Sequence, residues 1–310
     1  MNKPKLMLLV GLRGSGKSTI AQKLAEENPN TVIVSSDAIR EELTGKVEDQ
    51  TENEEVFKIF HNRIRKNLEN KKNVIADATN ITMKSRRAIM TKVNGLDIEK
   101  ICYLIPKPYE QCKIDNKNRL HPVPDEVIDK QIMRFQVPFY EENFDKIIIR
   151  KDDSWEEYKI GSINLFLAMF GFDQKNPHHN MTLDDHCMNT YNLFCNKIPH
   201  KTLLNLEYVN GYAMGAKLHD FGKIMVQTFD ENGIAHYYGH SSTGSYFILS
   251  QMVKPLVWTD DMLLDCCFLI NYHMIPFNWT TDEANKRWKK RFGEYKYQML
   301  LDFDECDRAR

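Results

Sequence analysis

The stretch Leu6-Met7-Leu8-Leu9-Val10-Gly11-Leu12-Arg13-Gly14-Ser15-Gly16-Lys17-Ser18-Thr19 decides the fold of the first half. Five apolar residues without a polar break read as a buried strand, and Ile20, Ala21, Leu24 and Ala25 then continue at helical spacing. Between them the chain spells GxxxxGK[ST]. In that strand-loop-helix setting the glycines let peptide N–H groups turn inward around phosphate oxygens, and the helix N-terminus adds positive potential. The predicted nucleotide cradle is Gly11, Gly14, Ser15, Gly16, Lys17, Ser18 and Thr19. Lys17 is expected at the β- and γ-phosphates of ATP or another nucleoside triphosphate, and Ser18 at Mg²⁺.

Outward from this loop, short aliphatic runs at Thr31 to Ser35, Asn73 to Asp77, Ile98 to Leu104 and Lys146 to Ile149 alternate with amphipathic stretches. That alternation predicts an α/β domain, a parallel sheet with helices on both faces. Val56, Ile59, Phe60, Ile64 and Leu68 keep helical spacing behind a Thr51-x-x-Glu54 capping box. Asp37 follows the second strand, where a carboxylate can accept a proton from an attacking hydroxyl, and Arg40 stands one turn later to steer an anionic acceptor. Ser36 or Asp37 can equally cap the next helix. Asp77 closes the third strand and suits an ion- or water-orienting role beside the triphosphate. Lys84, Arg86 and Arg87 follow on a helix capped by Thr82. Near the end of this half, Lys113, Lys117 and Arg119 precede His121-Pro122-Val123-Pro124, a helix stop that fits a lid carrying Arg119 over the transferred phosphate.

The whole chain has 310 residues, 42% of them apolar and 27% charged, so it is globular and exceeds the usual single core. Two domains are expected, 1–155 and 156–310, the second all-α. No apolar run approaches the ~18 residues of a membrane span, and no signal-peptide pattern opens the chain, so a cytoplasmic location without membrane partners is expected. Residues 1–150 carry 26 Lys and Arg against 22 Asp and Glu, whereas 151–310 carry 16 against 21. Neither half is basic enough for a polycationic nucleic-acid coat, although the charge balance is compatible with binding a short strand or a single terminus. Lys286 to Arg291, with Trp288 inside, reads as a solvated helix face that a strand could also use. The seven cysteines include no CxxC pair and read as reduced core thiols.

Eight of the ten histidines lie after residue 177, in a half that is otherwise acidic and helical by pattern. His186 sits in an amphipathic stretch behind a Thr182-x-x-Asp185 cap. His219-Asp220 ends the next apolar helix just before Gly222, a natural stop. His240, His273 and the Asp304-Glu305-Cys306-Asp307 segment follow. Imidazole and carboxylate donors from separate helices suit a bundle-core site for Mn²⁺ or another transition metal rather than Ca²⁺. Trp155 to Phe172 reads as an amphipathic, helix-like connector into this bundle.

Residues 5–150 resemble the P-loop polynucleotide kinase family in the loop itself, in Asp37 with Arg40, in Asp77-Ala78-Thr79-Asn80, in the following arginine pair and in Arg119. The resemblance implies phosphorylation of 5′-hydroxyl ends of RNA or DNA, with Lys17 and Ser18 on ATP and Mg²⁺. Asp37 would be the general base, Arg40 would face the acceptor strand and Arg119 the donor phosphates. It leaves open which of Arg86 and Arg87 takes part. Residues 177–310, centred on Leu218-His219-Asp220-Phe221-Gly222-Lys223, resemble the HD metal-dependent phosphohydrolase superfamily. That resemblance implies a core of His186, His219, Asp220 and Asp307, with Asp304 competing for the last place. His240 and His273 fall where some members hold a second ion. Lys223 would stabilise developing charge during hydrolysis of a phosphate ester. Asn176-Pro177-His178-His179 and Tyr238-Gly239-His240 also resemble the HD module of tRNA nucleotidyltransferases. Together the halves resemble bacterial end-healing enzymes, which implies repair of a 5′-hydroxyl and a 2′,3′-cyclic phosphate before a nucleic-acid ligase acts. A small-molecule or nucleoside kinase joined to a nucleotide phosphohydrolase is the alternative.

Overall fold

The computed structural model describes residues 3–150, 152–177, 180–198 and 210–309; His178, His179 and Arg310 lie outside them. The chain forms two compact units, Met1–Gln131 with Pro138–Asp153, and Ile132–Val137 with Ser154–Arg310.

The first unit is built on a five-stranded sheet: β1 (Lys5–Val10), β2 (Thr31–Ser35), β3 (Asn73–Asp77), β4 (Glu99–Leu104) and β5 (Lys146–Ile149). All pairings are parallel, in the order β2-β3-β1-β4-β5. Leu6 to Val10 are wholly buried, as a central strand covered on both faces requires. Its unbroken apolar run is the sequence signature of that position. Helices α1 (Lys17–Glu27), α2 (Ser36–Thr44), α3 (Asn53–Glu69), α4 (Met83–Lys92), α5 (Tyr109–Lys117) and α6 (Asp125–Ile132, its last residue already counted with the second unit) accompany the sheet, with a 3₁₀ turn at Tyr140–Glu142. The strand order reverses direction at β1, so the loop after β1 opens at the carboxyl edge where α/β sheets bind ligands.

The α3 helix forms with Val56, Phe60, Ile64 and Leu68 buried, but the expected capping box does not. Asp49 Oδ1 takes both the Thr51 N–H at 2.9 Å and its hydroxyl at 2.7 Å, a local turn that outcompetes the cap. Around α5, the Asn116 side chain donates to Val123 O at 2.8 Å and accepts from Val123 N at 3.2 Å. The segment that carries Arg119 is thereby closed into a loop.

In the second unit the principal helices are Leu183–Lys197, Gly211–Leu218, His240–Gln251, Asp260–Tyr272 and Asp282–Arg308, with a small hairpin of Thr228–Phe229 and Ala235–His236. The Trp155 to Phe172 stretch is not one helix. A 3₁₀ turn at Asp153–Tyr158 gives way to a short helix at Ser162–Leu167, and between them Ile160 bridges to Met252. Residues 132–137 also belong to this unit. Asn271 accepts from Val137 N at 2.7 Å and donates to Phe135 O at 3.0 Å, Tyr272 donates to Val137 O at 3.0 Å, and Phe135 packs edge-on against Tyr246. The chain therefore passes between units at 131/132, 137/138 and 153/154, where its composition suggests one passage near 155. Among the described residues no helix is long and apolar enough to cross a membrane.

Candidate functional site

The loop after β1 is shaped by backbone demands before any side chain acts. Gly14 has φ of 83°, and a Cβ there would stand 2.1 Å from the Cys112 carbonyl oxygen, so no other residue fits. Gly11 N–H donates to Thr79 O at 3.1 Å and the Asn80 amide to Leu9 O at 2.9 Å, which ties the loop to the end of β3. Gly16 starts α1 without a side-chain cap. Ser15 Oγ is buried with no partner among the described residues. Uncapped N–H groups and an orphaned hydroxyl are what a phosphate-binding cradle should show, so the loop fits a triphosphate.

Lys17 is buried and donates to Leu12 O at 2.7 Å. Burial pushes its ammonium down to about 8, against the pull of Asp77. Ser18 Oγ donates to Asp77 Oδ2 at 3.1 Å, and burial raises the Asp77 carboxyl. The structure thus brings Lys17, Ser18 and Asp77 together; Ser18 and Asp77 would hold Mg²⁺, and Lys17 the phosphates of the nucleotide. A bound triphosphate favours the protonated lysine, so ATP affinity should fall as pH rises through about 8. Calorimetric titration from pH 7 to 9.5 should show that fall, and Lys17→Met should bind weakly with no such dependence.

Asp37 does not cap α2; Ser35 does, accepting from Ala38 N. The Asp37 carboxylate is instead held by Arg40, whose Nη1 lies 3.1 Å from Oδ1, with Arg13 Nη1 3.7 Å from Oδ2. Arg40 is buried, and its Nη2 donates to Asn53 Oδ1 at 2.9 Å. Arg119 is exposed, yet its charge acts on Arg13, Lys17 and Asp77. Arg13 occupies a free position of the motif, and no sequence signal marks it.

The arginine pair divides cleanly. Arg87 and Lys84 are exposed, whereas Arg86 is fully buried on Glu142, through Nε to Oε2 at 2.9 Å and Nη2 to Oε1 at 2.6 Å, and donates to Asn80 O at 3.1 Å. Arg86 is a brace behind Asn80, not a phosphate ligand. Removing one partner leaves a buried charge alone, so Arg86→Ala should lower unfolding free energy by about 3–5 kcal/mol. Urea denaturation measures it, and an Arg86→Met, Glu142→Leu double variant should lose less than Arg86→Ala.

The second cluster lies wholly in the helical unit. His219 and His273 directly follow the helices Gly211–Leu218 and Asp260–Tyr272 as their C-caps. Each ring turns Nδ1 to the carbonyl three residues back, Ala216 O at 2.9 Å and Ile270 O at 2.8 Å, and His240 does the same to Tyr237 O at 2.8 Å. In each case a backbone carbonyl gains a partner, at a helix end for His219 and His273, and the Nε2 lone pair is left facing inward. His186 comes from Leu183–Lys197 and Asp307 from Asp282–Arg308.

Asp220 joins two groups of donors. Its Oδ2 lies 3.5 Å from His186 Nε2 and 3.3 Å from His219 Nε2, and both of those nitrogens lie within 3.2 Å of Asp307 Oδ1. Its Oδ1 lies 3.2 Å from His240 Nε2 and 3.6 Å from His273 Nε2. His186 with His219 and Asp220, and Asp220 with His240 and His273, are each close enough to share one ion. Four inward imidazole nitrogens and two carboxylates fit one or two transition-metal ions. Burial opposes the charge on Asp220, but Lys223 and His219 outweigh it and hold the carboxyl well below the usual range. Lys223 Nζ lies 2.7 Å from Asp220 Oδ2 and donates to buried Gln174 at 2.8 Å. Asp304 is not part of the cluster, because it pairs with Arg308. Gly222 is not a left-handed helix stop, since its φ is −61°. It is needed for close approach, because a Cβ there would stand 2.0 Å from His240 O. That contact sets the His219-Asp220 turn against the helix that starts with His240.

Residues 6–138 match the AAA_33 family, described as an AAA domain. No curated protein matches the chain. Among solved structures, a chain of a Pnkp1/Rnl/Hen1 RNA repair complex is 26% identical, over 43% of this chain and 44% of that one, with a TM-score of 0.40. A fungal RNA kinase is 16% identical over 49% and 39%, TM-score 0.36, and a gluconokinase from Sinorhizobium meliloti 1021 is 16% identical over 48% and 83%, TM-score 0.35. The chain spans less than half the length of the repair-complex chain it matches. At such TM-scores the reading of the site rests on its own geometry.

Proposed function

We propose that the chain is a bifunctional nucleic-acid end-repair enzyme. Its first unit phosphorylates 5′-hydroxyl ends of RNA or DNA from ATP, and its second hydrolyses 2′,3′-cyclic or 3′/2′-phosphate ends, leaving termini for a ligase. The observation that carries this reading is the presence, in one polypeptide, of a phosphate loop facing an Asp37–Arg40 pair and of a double imidazole–carboxylate cluster joined by Asp220.

In the first unit, Gly14 and Gly16 shape the loop for phosphate oxygens, and Lys17 stands in the cradle. Asp37, held by Arg40 and partly exposed, is open to an acceptor hydroxyl and can take its proton as the new P–O bond forms and the bond from the γ-phosphorus to the bridging oxygen breaks, releasing ADP. In the second unit, a divalent ion held by the imidazole and carboxylate cluster would supply Lewis-acid polarisation of a phosphoryl oxygen. The chain holds His186, His219, Asp220 and Asp307 on one side and His240 and His273 on the other, and backbone carbonyls orient the rings of His219, His240 and His273. Lys223, 2.7 Å from Asp220 Oδ2, stands beside the reacting region.

The test is an oligonucleotide bearing a 5′-hydroxyl and a 2′,3′-cyclic phosphate, incubated with labelled ATP and Mn²⁺. Label at the 5′ end and opening or loss of the cyclic phosphate are expected. Transfer to free nucleosides in preference to the oligonucleotide would favour a metabolic kinase and overturn the proposal.

A further inference from the structure

Arg13 pairs toward Asp37 rather than over the donor cradle, and its side chain, like that of Arg40, is largely buried at 13% and 5% exposure. Its backbone is pinned, Arg13 N donating to Gln131 Oε1 at 2.8 Å. Its remaining donors are unusual. Arg13 Nε and Nη2, together with Arg40 Nε, are buried with no partner among the described residues. Nε and Nη2 form the flat edge that matches two oxygens of a phosphate or carboxylate. Arg86 uses that same edge on Glu142. Folded chains seldom bury such donors without an acceptor, because the lost hydration is not repaid. Positive charge is also in excess here. Arg40 and Arg119 both act against Arg13, and of the two carboxylates that favour it, Asp37 is shared with Arg40 and Glu48 lies 2.8 Å from His121. The Arg13–Asp37 contact at 3.7 Å is too long for a hydrogen bond, so turning the free edge toward an anion that enters beside Asp37 breaks none.

We propose that Arg13 binds a phosphate carried by the acceptor itself, next to the hydroxyl that is phosphorylated, and so selects phosphate-bearing acceptors over neutral alcohols. This rests on the kinase reading of the first unit. The acceptor is favoured over ATP because Arg13 pairs with Asp37 and Lys17 is the cation of the cradle.

Calorimetric binding of adenosine 3′-phosphate and of adenosine, without ATP, tests it on wild type, Arg13→Ala and Arg13→Lys. Wild type should prefer adenosine 3′-phosphate by about tenfold or more, Arg13→Ala should erase the preference, and Arg13→Lys should restore only part, because an ammonium lacks the fork. ATP affinity should be unchanged in all three, and thermal melts should confirm that each is folded. Equal binding of both ligands by wild type, a preference that survives Arg13→Ala, or an equal loss of ATP affinity would overturn the proposal. Arg13-dependent binding without any transfer from labelled ATP would overturn the kinase reading instead and leave the anion site standing.

Discussion

Asp220→Ala should abolish phosphoesterase activity, by about a thousandfold or more, and leave 5′-phosphorylation within about twofold of wild type. Other ligands belong to one side of the cluster, but Asp220 offers one oxygen to His186 and His219 and the other to His240 and His273. Losing it removes the shared carboxylate from both three-residue groups and leaves Lys223 facing imidazoles. Mn²⁺ content measured after dialysis should fall with the activity, whereas His273→Ala should lower it less, since His186, His219, Asp220 and Asp307 remain. Asp220→Asn tests charge against shape, and full activity in that variant would sink the assignment. The kinase should be indifferent because Lys17, Ser18, Asp37 and Asp77 all belong to the other unit.

The complementary experiment is Asp37→Ala. Removal of a positioned general base costs about 10²–10⁴ in kcat. Asp37 is not a partner in the Lys17–Leu12 and Ser18–Asp77 hydrogen bonds and acts on Lys17 and Asp77 only through its charge, so ATP binding should be largely retained. Labelled phosphate transfer to a 5′-hydroxyl oligonucleotide gives kcat, and calorimetry gives the ATP affinity. A kcat within tenfold of wild type would remove Asp37 from the chemistry. If ATP affinity fell as steeply as kcat, Asp37 would be organising the loop rather than the acceptor.

Much of the first unit can be read from the sequence because burial on two faces leaves little choice of residue. Leu6 to Val10 must be apolar throughout, and the close approach of Gly14 to Cys112 O admits only glycine. The histidines were legible for another reason: imidazoles spaced along separate helices are hard to explain as ordinary core. What stayed hidden depends on partners far apart in the chain. Glu142 reads as one of many surface acids until Arg86, 56 residues away, is seen against it. Arg13 sits where the motif is silent. Asp304 and Asp307 differ by less than one helical turn, and only the packing of the last helix decides that one meets Arg308 and the other His186. Thr51 and Gly222 carried real local signals, overruled by a neighbouring Asx turn and by a tertiary contact.

The six residues at 132–137 constrain how such a protein could have been assembled or could be dismantled. They continue from α6, whose Gln131 side chain accepts from the phosphate loop, yet they are hydrogen-bonded to the two residues that precede His273. A gene break near codon 155 would give one product with an apolar tail stripped of its cover and another lacking a piece of its own core. The two units thus draw on alternating stretches of the chain rather than on two successive ones, and exchanging either with a relative requires grafting two separate stretches of coding sequence.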